Sequence, residues 1–225
     1  MKIVVVHGQA HKGNTYHLTH MLLEQLDCKK EDIKEFNING IGQCIGCTNC
    51  ILKNETLCPH YLQMAPIIES IDNSDVIIFE TPNYCMGMTG QLKSFFDHMA
   101  YRWMSHRPNG DMKHKIGVAI STTAGSGASK ASRDISTQFM WWAVGKVYQL
   151  PFTVAASSWN EIKDKKKIKI TKKVKKLGKR INYQVNRTKP GLKTRFYFEM
   201  MKMVQKKMPW NPADTEYWKA KGWIK

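Results

Sequence analysis

The sequence lacks any long hydrophobic run. No apolar stretch approaches the roughly 18 residues that a membrane-spanning helix needs. The apolar part of the opening segment, Met1 to Gly8, is too short for a secretory signal peptide. These absences predict a soluble, cytoplasmic protein, and 225 residues are enough to build a full hydrophobic core.

The usual nucleotide-binding and hydrolytic motifs are also missing. The chain has no Gly-x-x-x-x-Gly-Lys-Ser/Thr loop, and Gly8 and Gly13 do not have the spacing of a dinucleotide fingerprint. No arrangement of serine, histidine and aspartate points to a nucleophilic triad. These absences favour a smaller phosphate-bearing ligand over a nucleoside triphosphate or a dinucleotide.

Acidic residues are scarce in the last part of the chain. Residues 1–160 carry 14 Lys or Arg and 13 Asp or Glu, whereas residues 161–225 carry 21 and 5, so the tail holds +16 of the net charge of +17. This shift predicts a boundary near Trp159, between a domain over residues 1–158 and a basic helical extension over residues 159–225.

Short apolar runs alternate with helical patterns along the first domain. The runs predict five strands, at Val4–Val6, Ile33–Ile38, Val76–Phe79, Lys115–Ser121 and Leu150–Ala155. The helical patterns between the later strands include Thr89–Trp103 and Ser129–Lys146. Strands that alternate with helices predict an α/β fold with a doubly wound, five-stranded parallel sheet in a flavodoxin-like order.

Three polar loops follow predicted strands, at the edge of the sheet where ligands bind in such folds. They are the first loop (Gln9–Thr15), the second loop (Thr81–Met88) and the third loop (Ser121–Gly127). The first loop leads into a helix, whose start gathers free backbone N–H groups and a positive dipole end, and therefore predicts an anion site. The alternative is an ordinary tight connection in which Asn14 only caps the helix.

The second and third loops have the composition of a site for a flat ring. Tyr84, Met86 and Met88 are able to wall an aromatic ring, and the small residues of the third loop expose N–H groups that reach ring oxygens. Ordinary packing of Tyr84 and the two methionines is the alternative.

Four of the six cysteines crowd into a segment of fifteen residues. The clustered ones are Cys44, Cys47, Cys50 and Cys58, whereas Cys28 and Cys85 stand alone. In a cytosolic protein this pattern predicts a metal site or a redox centre rather than a disulfide framework. Structural zinc and free thiols are the alternatives to an iron-sulfur cluster, although zinc usually has two separated Cys-x2-Cys pairs.

Three motifs, in order, resemble those of the NAD(P)H-dependent FMN reductase and iron-sulfur flavoprotein family. Gly8-Gln-Ala-His-Lys-Gly-Asn-Thr15 is similar to the family's phosphate loop, Gly-Ser-Pro-Arg-x-Gly-Asn-Thr. Thr81-Pro-Asn-Tyr84, followed by Met88-Thr-Gly-Gln-Leu-Lys93, resembles its second flavin loop, and Ser121-Thr-Thr-Ala-Gly125 resembles its third. The resemblance covers roughly residues 1–155, and three motifs in the correct order are far more specific than any one.

The resemblance implies a flavodoxin-like fold that binds FMN. The phosphate would lie at Gln9, His11, Asn14 and Thr15, and the ring would lie among Pro82, Asn83, Tyr84, Met86, Gly87, Thr123, Ala124 and Gly125. Gln9 and His11 stand where the family pattern has serine and arginine, so this chain lacks a permanently charged guanidinium there. The resemblance also implies a 4Fe-4S cluster on Cys44, Cys47, Cys50 and Cys58, with Pro59 after the last ligand as in ferredoxin motifs.

The function implied by the resemblance is that of an FMN-dependent oxidoreductase. Electrons would come from NAD(P)H or from a redox partner protein and pass to an acceptor that the sequence does not identify. No catalytic side chain is assigned, because the flavin carries the chemistry. The alternatives are an electron carrier without a small-molecule substrate and a flavin-bearing sensor or binding protein.

Two amphipathic segments make up the basic tail. Apolar residues from Ile170 to Val185 recur at helical spacing among lysines, which predicts a helix packed on the sheet. Residues 190–225 hold a second apolar segment, which predicts packing across a homodimer, a state that the resemblance also implies. An acidic protein partner or an anionic membrane surface is also compatible with the basic tail, whereas nucleic acid is not expected, because no groove-reading motif accompanies the charge. Residues 102–107 are expected at a solvated helix end.

Overall fold

The computed structural model describes residues 1–225 and contains one parallel sheet of five strands. The strands are β1 (Ile3–His7), β2 (Ile33–Asn37), β3 (Val76–Pro82), β4 (Ile116–Thr123) and β5 (Lys146–Thr153). Their order across the sheet is β2-β1-β3-β4-β5, and every pairing is parallel. This is the strand order of the flavodoxin-like fold, so the predicted fold class is confirmed.

Eight α-helices accompany the sheet. They are α1 (Asn14–Leu23), α2 (Asn49–Leu52), α3 (Tyr61–Asp72), α4 (Gly90–His98), α5 (Ala128–Trp141), α6 (Asp164–Gln184), α7 (Leu192–Lys207) and α8 (Pro212–Ala220). None of them combines the length and the apolar character that crossing a bilayer requires.

The core consists of two apolar layers, one on each face of the sheet. Successive side chains of a strand point to opposite faces, so Val4 and Val6 of β1 enter one layer and Ile3 and Val5 enter the other. Helices α3, α4 and α5 cover the first layer, and α1 and α6 cover the second. This two-sided burial explains why the central strands are apolar without alternation.

Helix α6 lies on the sheet, as its apolar spacing predicted. Ile170, Val174, Leu177 and Ile181 are buried in the second layer. Trp159 also packs against this layer, so the shift in charge near that residue falls within the layered structure. The basic composition of α6 belongs to its outer face.

Two predicted helices are shorter in the structure, and the last strand is displaced. Helix α4 ends at His98 and is followed by a single 3-10 turn over Ala100–Arg102. Helix α5 ends at Trp141 because Ala143 adopts a left-handed conformation (φ 62°), with closing bonds from Ala143 N to Met140 O and from Val144 N to Phe139 O. Strand β5 therefore begins at Lys146, four residues before the predicted start.

The last two helices pack on the rest of their own chain. Asp214 of α8 is fully buried, and its carboxylate accepts hydrogen bonds from Arg107 Nη1 at 2.6 Å and from His106 Nδ1 at 2.8 Å. Trp218 is also fully buried and donates its indole N–H to the carbonyl of His106. The expectation of a solvated helix end at residues 102–107 was wrong, because Arg102 and Arg107 are buried against carboxylates from distant parts of the chain.

A buried charged cluster joins the ends of β1, β2 and β3. His7 Nδ1 lies 2.9 Å from Glu80 Oε1, and His7 Nε2 lies 2.8 Å from Glu35 Oε2. Tyr16 and His20 of α1 cover the cluster, with His20 Nε2 3.3 Å from the same oxygen of Glu35. Since Gly8 follows His7, this cluster lies directly beneath the start of the first loop.

The cluster holds His7 as an imidazolium. Burial alone would lower the pKa of His7, but its hydrogen bonds with Glu35 and Glu80 outweigh that effect and raise the pKa to about 9. The hydrogen bond with His7 lowers the pKa of Glu35, whereas burial raises the pKa of Glu80 and His7 offsets that rise only in part. One buried imidazolium thus bonds to both Glu35 and Glu80.

We expect His7→Gln to destabilise the protein in a pH-dependent way. The folded state binds the proton of His7 more tightly than the unfolded chain, so this stabilisation is complete below about pH 6.5 and disappears as the pH rises through about 9. By linkage, the free energy of unfolding should fall by about 2 kcal/mol at neutral pH. Urea denaturation of parent and variant across this pH range measures the difference.

His20→Gln is the matched control, because His20 is about one-third exposed and only approaches Glu35. Its effect should be much smaller than that of His7→Gln. A destabilisation by His7→Gln that is the same at every pH would contradict the assignment of a protonated His7.

Candidate cofactor site

The three polar loops emerge side by side at the carboxyl edge of the sheet. The register pairs His7 with Glu80 across β1 and β3, and Thr81 with Ser121 across β3 and β4. Because the strands are parallel and in this register, the chain leaves all three at the same level. The first, second and third loops therefore surround one region, as the sequence predicted.

Hydrogen bonds tie the loops to one another. Thr15 Oγ1 and Thr122 Oγ1 are 2.6 Å apart, which joins the start of α1 to the third loop. Tyr84 donates its hydroxyl to Gln9 Oε1 at 3.0 Å, and Asn83 Nδ2 donates to the carbonyl of Ser126 at 2.9 Å. Each loop thus contacts the other two, and the three form one rigid edge.

The start of α1 has the features of an anion site. Gly13 occupies the cap position without any side-chain cap, and the first backbone bond into the turn is from His17 N to Gly13 O. The N–H groups of Asn14, Thr15 and Tyr16 therefore have no helical acceptor and point out of the helix start. The helix dipole adds a positive end at the same place.

Unpartnered polar atoms mark the same region as suited to a polar ligand. Asn14 Oδ1, Asn83 Oδ1 and Ser121 Oγ are buried without a hydrogen-bond partner, and all three belong to the loops or their strand ends. Buried polar atoms are normally satisfied, so a cluster of exceptions calls for an explanation. A bound ligand with donors and acceptors of its own, such as the phosphate, ribityl chain and ring of FMN, fits these atoms.

At two glycines of the loops, the backbone lies very close to neighbouring groups. A Cβ at Gly8 would stand 2.7 Å from the carbonyl oxygen of Glu80, and a Cβ at Gly127 would stand 2.6 Å from the Asn83 amide. Gly127 also has φ +99°, which side chains rarely adopt. Cys85 and Met86 have positive φ as well, which holds the tip of the second loop in a tight turn.

The residues predicted to bind FMN all lie in this region, with different exposure. Thr15 and Thr123 are buried, Gln9, Asn14, Pro82, Asn83 and Gly87 are half-buried, and His11, Tyr84, Met86, Ala124 and Gly125 are exposed. Three of the four predicted phosphate contacts are engaged within the protein: Thr15 bonds Thr122, Gln9 Nε2 donates to the carbonyl of His11, and Asn14 Nδ2 donates to the carbonyl of Ala156. The assignment of individual residues to the phosphate and the ring stays a prediction.

The four clustered cysteines lie on a loop and short helix below α4. Cys44 and Cys47 are exposed, Cys58 is half-buried and Cys50 is buried in α2. Burial raises the pKa of Cys50 to about 11, and the neighbouring Cys58, Cys44 and Cys47 add to the rise. No three His, Cys, Asp or Glu side chains converge as ligands of a single ion.

Two residues that sequence reasoning did not select hold this cysteine loop. His98 is buried at the end of α4, where Nε2 donates to the carbonyl of Gly42 at 2.8 Å and Nδ1 lies 3.6 Å from Cys58 Sγ. Arg107 donates to the carbonyls of Cys50 and Ile51. The sequence signal for His98 was a polar side chain beside the otherwise apolar face of α4, whereas Arg107 lies in a loop and had no such signal.

Several known proteins are similar to this chain. The chain is 26% identical to an iron-sulfur flavoprotein of Archaeoglobus fulgidus over 100% of both chains. It is similar to the structure of an FMN-dependent NADH-azoreductase from Bacillus anthracis in complex with FMN, with a TM-score of 0.60, 10% identity, and coverage of 81% of this chain and 100% of that one. A flavodoxin from the domain Archaea matches with a TM-score of 0.50, 16% identity, and coverage of 82% and 99%.

At these identities the two solved structures show the fold alone. The family comparison is more specific, because it matches residues 1–161 to the family described as NADPH-dependent FMN reductase. That range contains the whole sheet, the three loops and the cysteine loop. The chain therefore belongs to the NADPH-dependent FMN reductase family.

Proposed function

We propose that this protein is an FMN-dependent oxidoreductase that takes electrons from NADH or NADPH and passes them to an acceptor of still undefined structure. The observation that carries the proposal is the meeting of three mutually bonded loops at an uncapped helix start. Membership of the NADPH-dependent FMN reductase family supports the same reaction class. Bound FMN supplies the redox chemistry, since its ring exchanges electrons and protons in a way that no side chain can.

The residues of the chain bind and orient the cofactor. The N–H groups of Asn14, Thr15 and Tyr16 hold the phosphate, and the positive end of α1 stabilises its charge. The second and third loops hold the ring, with Tyr84 and Met86 at its exposed side. Hydrogen bonds between the loops support the orientation of these groups.

We further propose that Cys44, Cys47, Cys50 and Cys58 hold a four-iron cluster. Thiolates are the ligands that iron-sulfur clusters take, and a relative over the whole chain is named an iron-sulfur flavoprotein. A zinc ion requires all four sulfurs at about 2.3 Å from one point. A four-iron cluster takes one thiolate per iron, and the compact spacing of Cys44, Cys47 and Cys50 with Cys58 after them lacks the two separated Cys-x2-Cys pairs that are usual for zinc.

We expect the purified, FMN-loaded protein to oxidise NADPH or NADH when ferricyanide is the acceptor. The loss of nicotinamide absorbance with time measures the rate, and protein stripped of FMN is the control. Saturation of the rate with one of the two nucleotides identifies the donor. Reduction of the flavin by a reduced redox protein, with no turnover of either nucleotide, would establish the electron carrier in place of the reductase.

We expect Asn14→Asp to weaken FMN binding at least about tenfold, a loss of roughly 1.4 kcal/mol. The substitution preserves the shape of the side chain and places a carboxylate beside the phosphate site, where two anions repel each other. Riboflavin lacks the phosphate, so its affinity should change little. Fluorescence titration measures both affinities, and Asn160→Asp, at an exposed position, is the matched control. An equal loss for FMN and riboflavin would move the phosphate away from Asn14.

We expect Cys58→Ser to remove most of the iron and sulfide from protein purified without oxygen. A hydroxyl is a much poorer ligand for iron than a thiolate. Cys28→Ser is the matched control, because both cysteines are half-buried and Cys28 lies outside the loop. Iron and sulfide analysis, with the visible spectrum, gives the result; parent protein with zinc, or with no metal, would disprove the cluster.

A further inference from the structure

Helix α7 presents an apolar stripe to the solvent. Leu192, Phe196 and Met203 are 84%, 67% and 57% exposed. At 3.6 residues per turn they lie within roughly 40° of one another around the helix axis. Met208 and Trp210 continue the exposed apolar surface just beyond the helix. Glu199 is also exposed and lies within roughly 60° of these three side chains, so it interrupts the apolar row once. Large apolar side chains exposed on one face of a helix mark an interaction surface.

The opposite side of α7 is already packed against the protein. Tyr197 approaches Trp141 with ring centroids 5.7 Å apart, and Phe198 stacks on Trp218 at 5.2 Å. Gln205 is buried and donates its amide to the carbonyl of Ser105 at 2.8 Å. The helix is therefore fixed by one face, and the stripe is a second, separate face.

The stripe lies in a field of uncompensated positive charge. The helix carries one acidic residue, Glu199, and five basic residues, Lys193, Arg195, Lys202, Lys206 and Lys207. None of the 21 Lys and Arg residues from position 161 onward forms an ion pair with a carboxylate. A partner that covers the stripe must therefore offer both an apolar region and negative charge.

A second copy of this chain does not meet that requirement. Pairing two stripes about a two-fold axis brings identical faces together, so the basic side chains of one copy would meet those of the other. Like charges at close range oppose association unless acidic groups lie between them. Glu199 is the one acidic residue beside five basic residues on each helix.

We propose that α7 and the segment through Trp210 bind an anionic lipid surface. An amphipathic helix with large apolar side chains on one side and lysines beside them lies in the plane of a bilayer, with the apolar side chains below the headgroups and the ammonium groups among the phosphates. Tryptophan suits the same boundary because its ring is apolar and its N–H is polar. Since no helix crosses a bilayer, the attachment is peripheral and reversible.

The groove between β5 and α6 adds to the attraction. It has a volume of about 1160 Å³ and is lined by seven basic side chains and no acidic one, among them Lys146, Lys176 and Arg180. A concave groove does not itself contact a flat bilayer. Its positive potential increases the concentration of the protein near an anionic surface, and this contribution falls with increasing salt.

Sedimentation with lipid vesicles tests the proposal on the full-length protein. Vesicles of equimolar phosphatidylcholine and phosphatidylglycerol should carry the protein into the pellet, whereas vesicles of phosphatidylcholine alone should not. Phe196→Ser combined with Met203→Ser should reduce the partition coefficient at least about tenfold, because two apolar side chains no longer enter the bilayer. Lys206→Glu combined with Lys207→Glu should reduce it by a similar factor.

Leu62→Ser is the matched control, since Leu62 is 86% exposed on α3 and far from α7 in the chain. It should leave the partition unchanged, and circular dichroism should show that every variant is folded. Equal partition of the parent and the Phe196/Met203 variant would overturn the proposal. A parent protein that binds neither kind of vesicle would also overturn it. If the same double substitution then converts a dimer to a monomer, a second copy covers the stripe. In a third outcome, an added oligonucleotide abolishes vesicle binding while Phe196→Ser and Met203→Ser have no effect. That result would mean that the basic surface binds nucleic acid instead.

Discussion

The parallel register of β1, β3 and β4 is the constraint on which the candidate site depends. It places His7 beside Glu80 and Thr81 beside Ser121, so the three polar loops start at one level of the sheet. An antiparallel neighbour would send one of these loops to the opposite edge. The two apolar layers hold these strands in place, because their side chains are buried against helices on both faces of the sheet. The site is thus positioned by the core rather than by its own contacts.

Buried charge is distributed unevenly around this core. His7 with Glu35 and Glu80 supports the start of the first loop, and Arg107 with Asp214 supports the cysteine loop. Both sets are paired, so neither leaves an isolated charge in the interior. Removing one partner of such a set is far more costly than never having had the pair. The lysines and arginines of the basic tail are the reverse case, since none of them forms an ion pair with a carboxylate. Charged groups in the interior therefore hold the loops in position, while those on the surface of the tail attract anionic partners at long range.

Local patterns predicted the fold well, and long-range pairs were out of their reach. The apolar runs located all five strands, and the period of Ile170, Val174, Leu177 and Ile181 placed α6 on the sheet. The end of α5 was missed because Ala143 adopts a conformation for which glycine is the usual signal. His7 and Glu80 are 73 positions apart and Arg107 and Asp214 are 107 apart, so no spacing rule connects them. The loops of the candidate site were predictable because each is one continuous segment with a distinctive composition. The residues that support the loops come from several distant segments of the chain.

The contact of Arg107 with Asp214 and with the carbonyl groups of Cys50 and Ile51 has a consequence for biosynthesis. During synthesis a chain emerges from the ribosome with its N-terminus first, and domains fold as their residues emerge. The cysteine loop emerges long before Asn211, which donates to the carbonyl of Ile51 across 160 positions. During that interval Arg107 lacks its carboxylate and the loop lacks its outer support, while Cys44 and Cys47 already face the solvent. The order of synthesis thus leaves a period in which the thiols are accessible on a loop that has not yet reached its final rigidity.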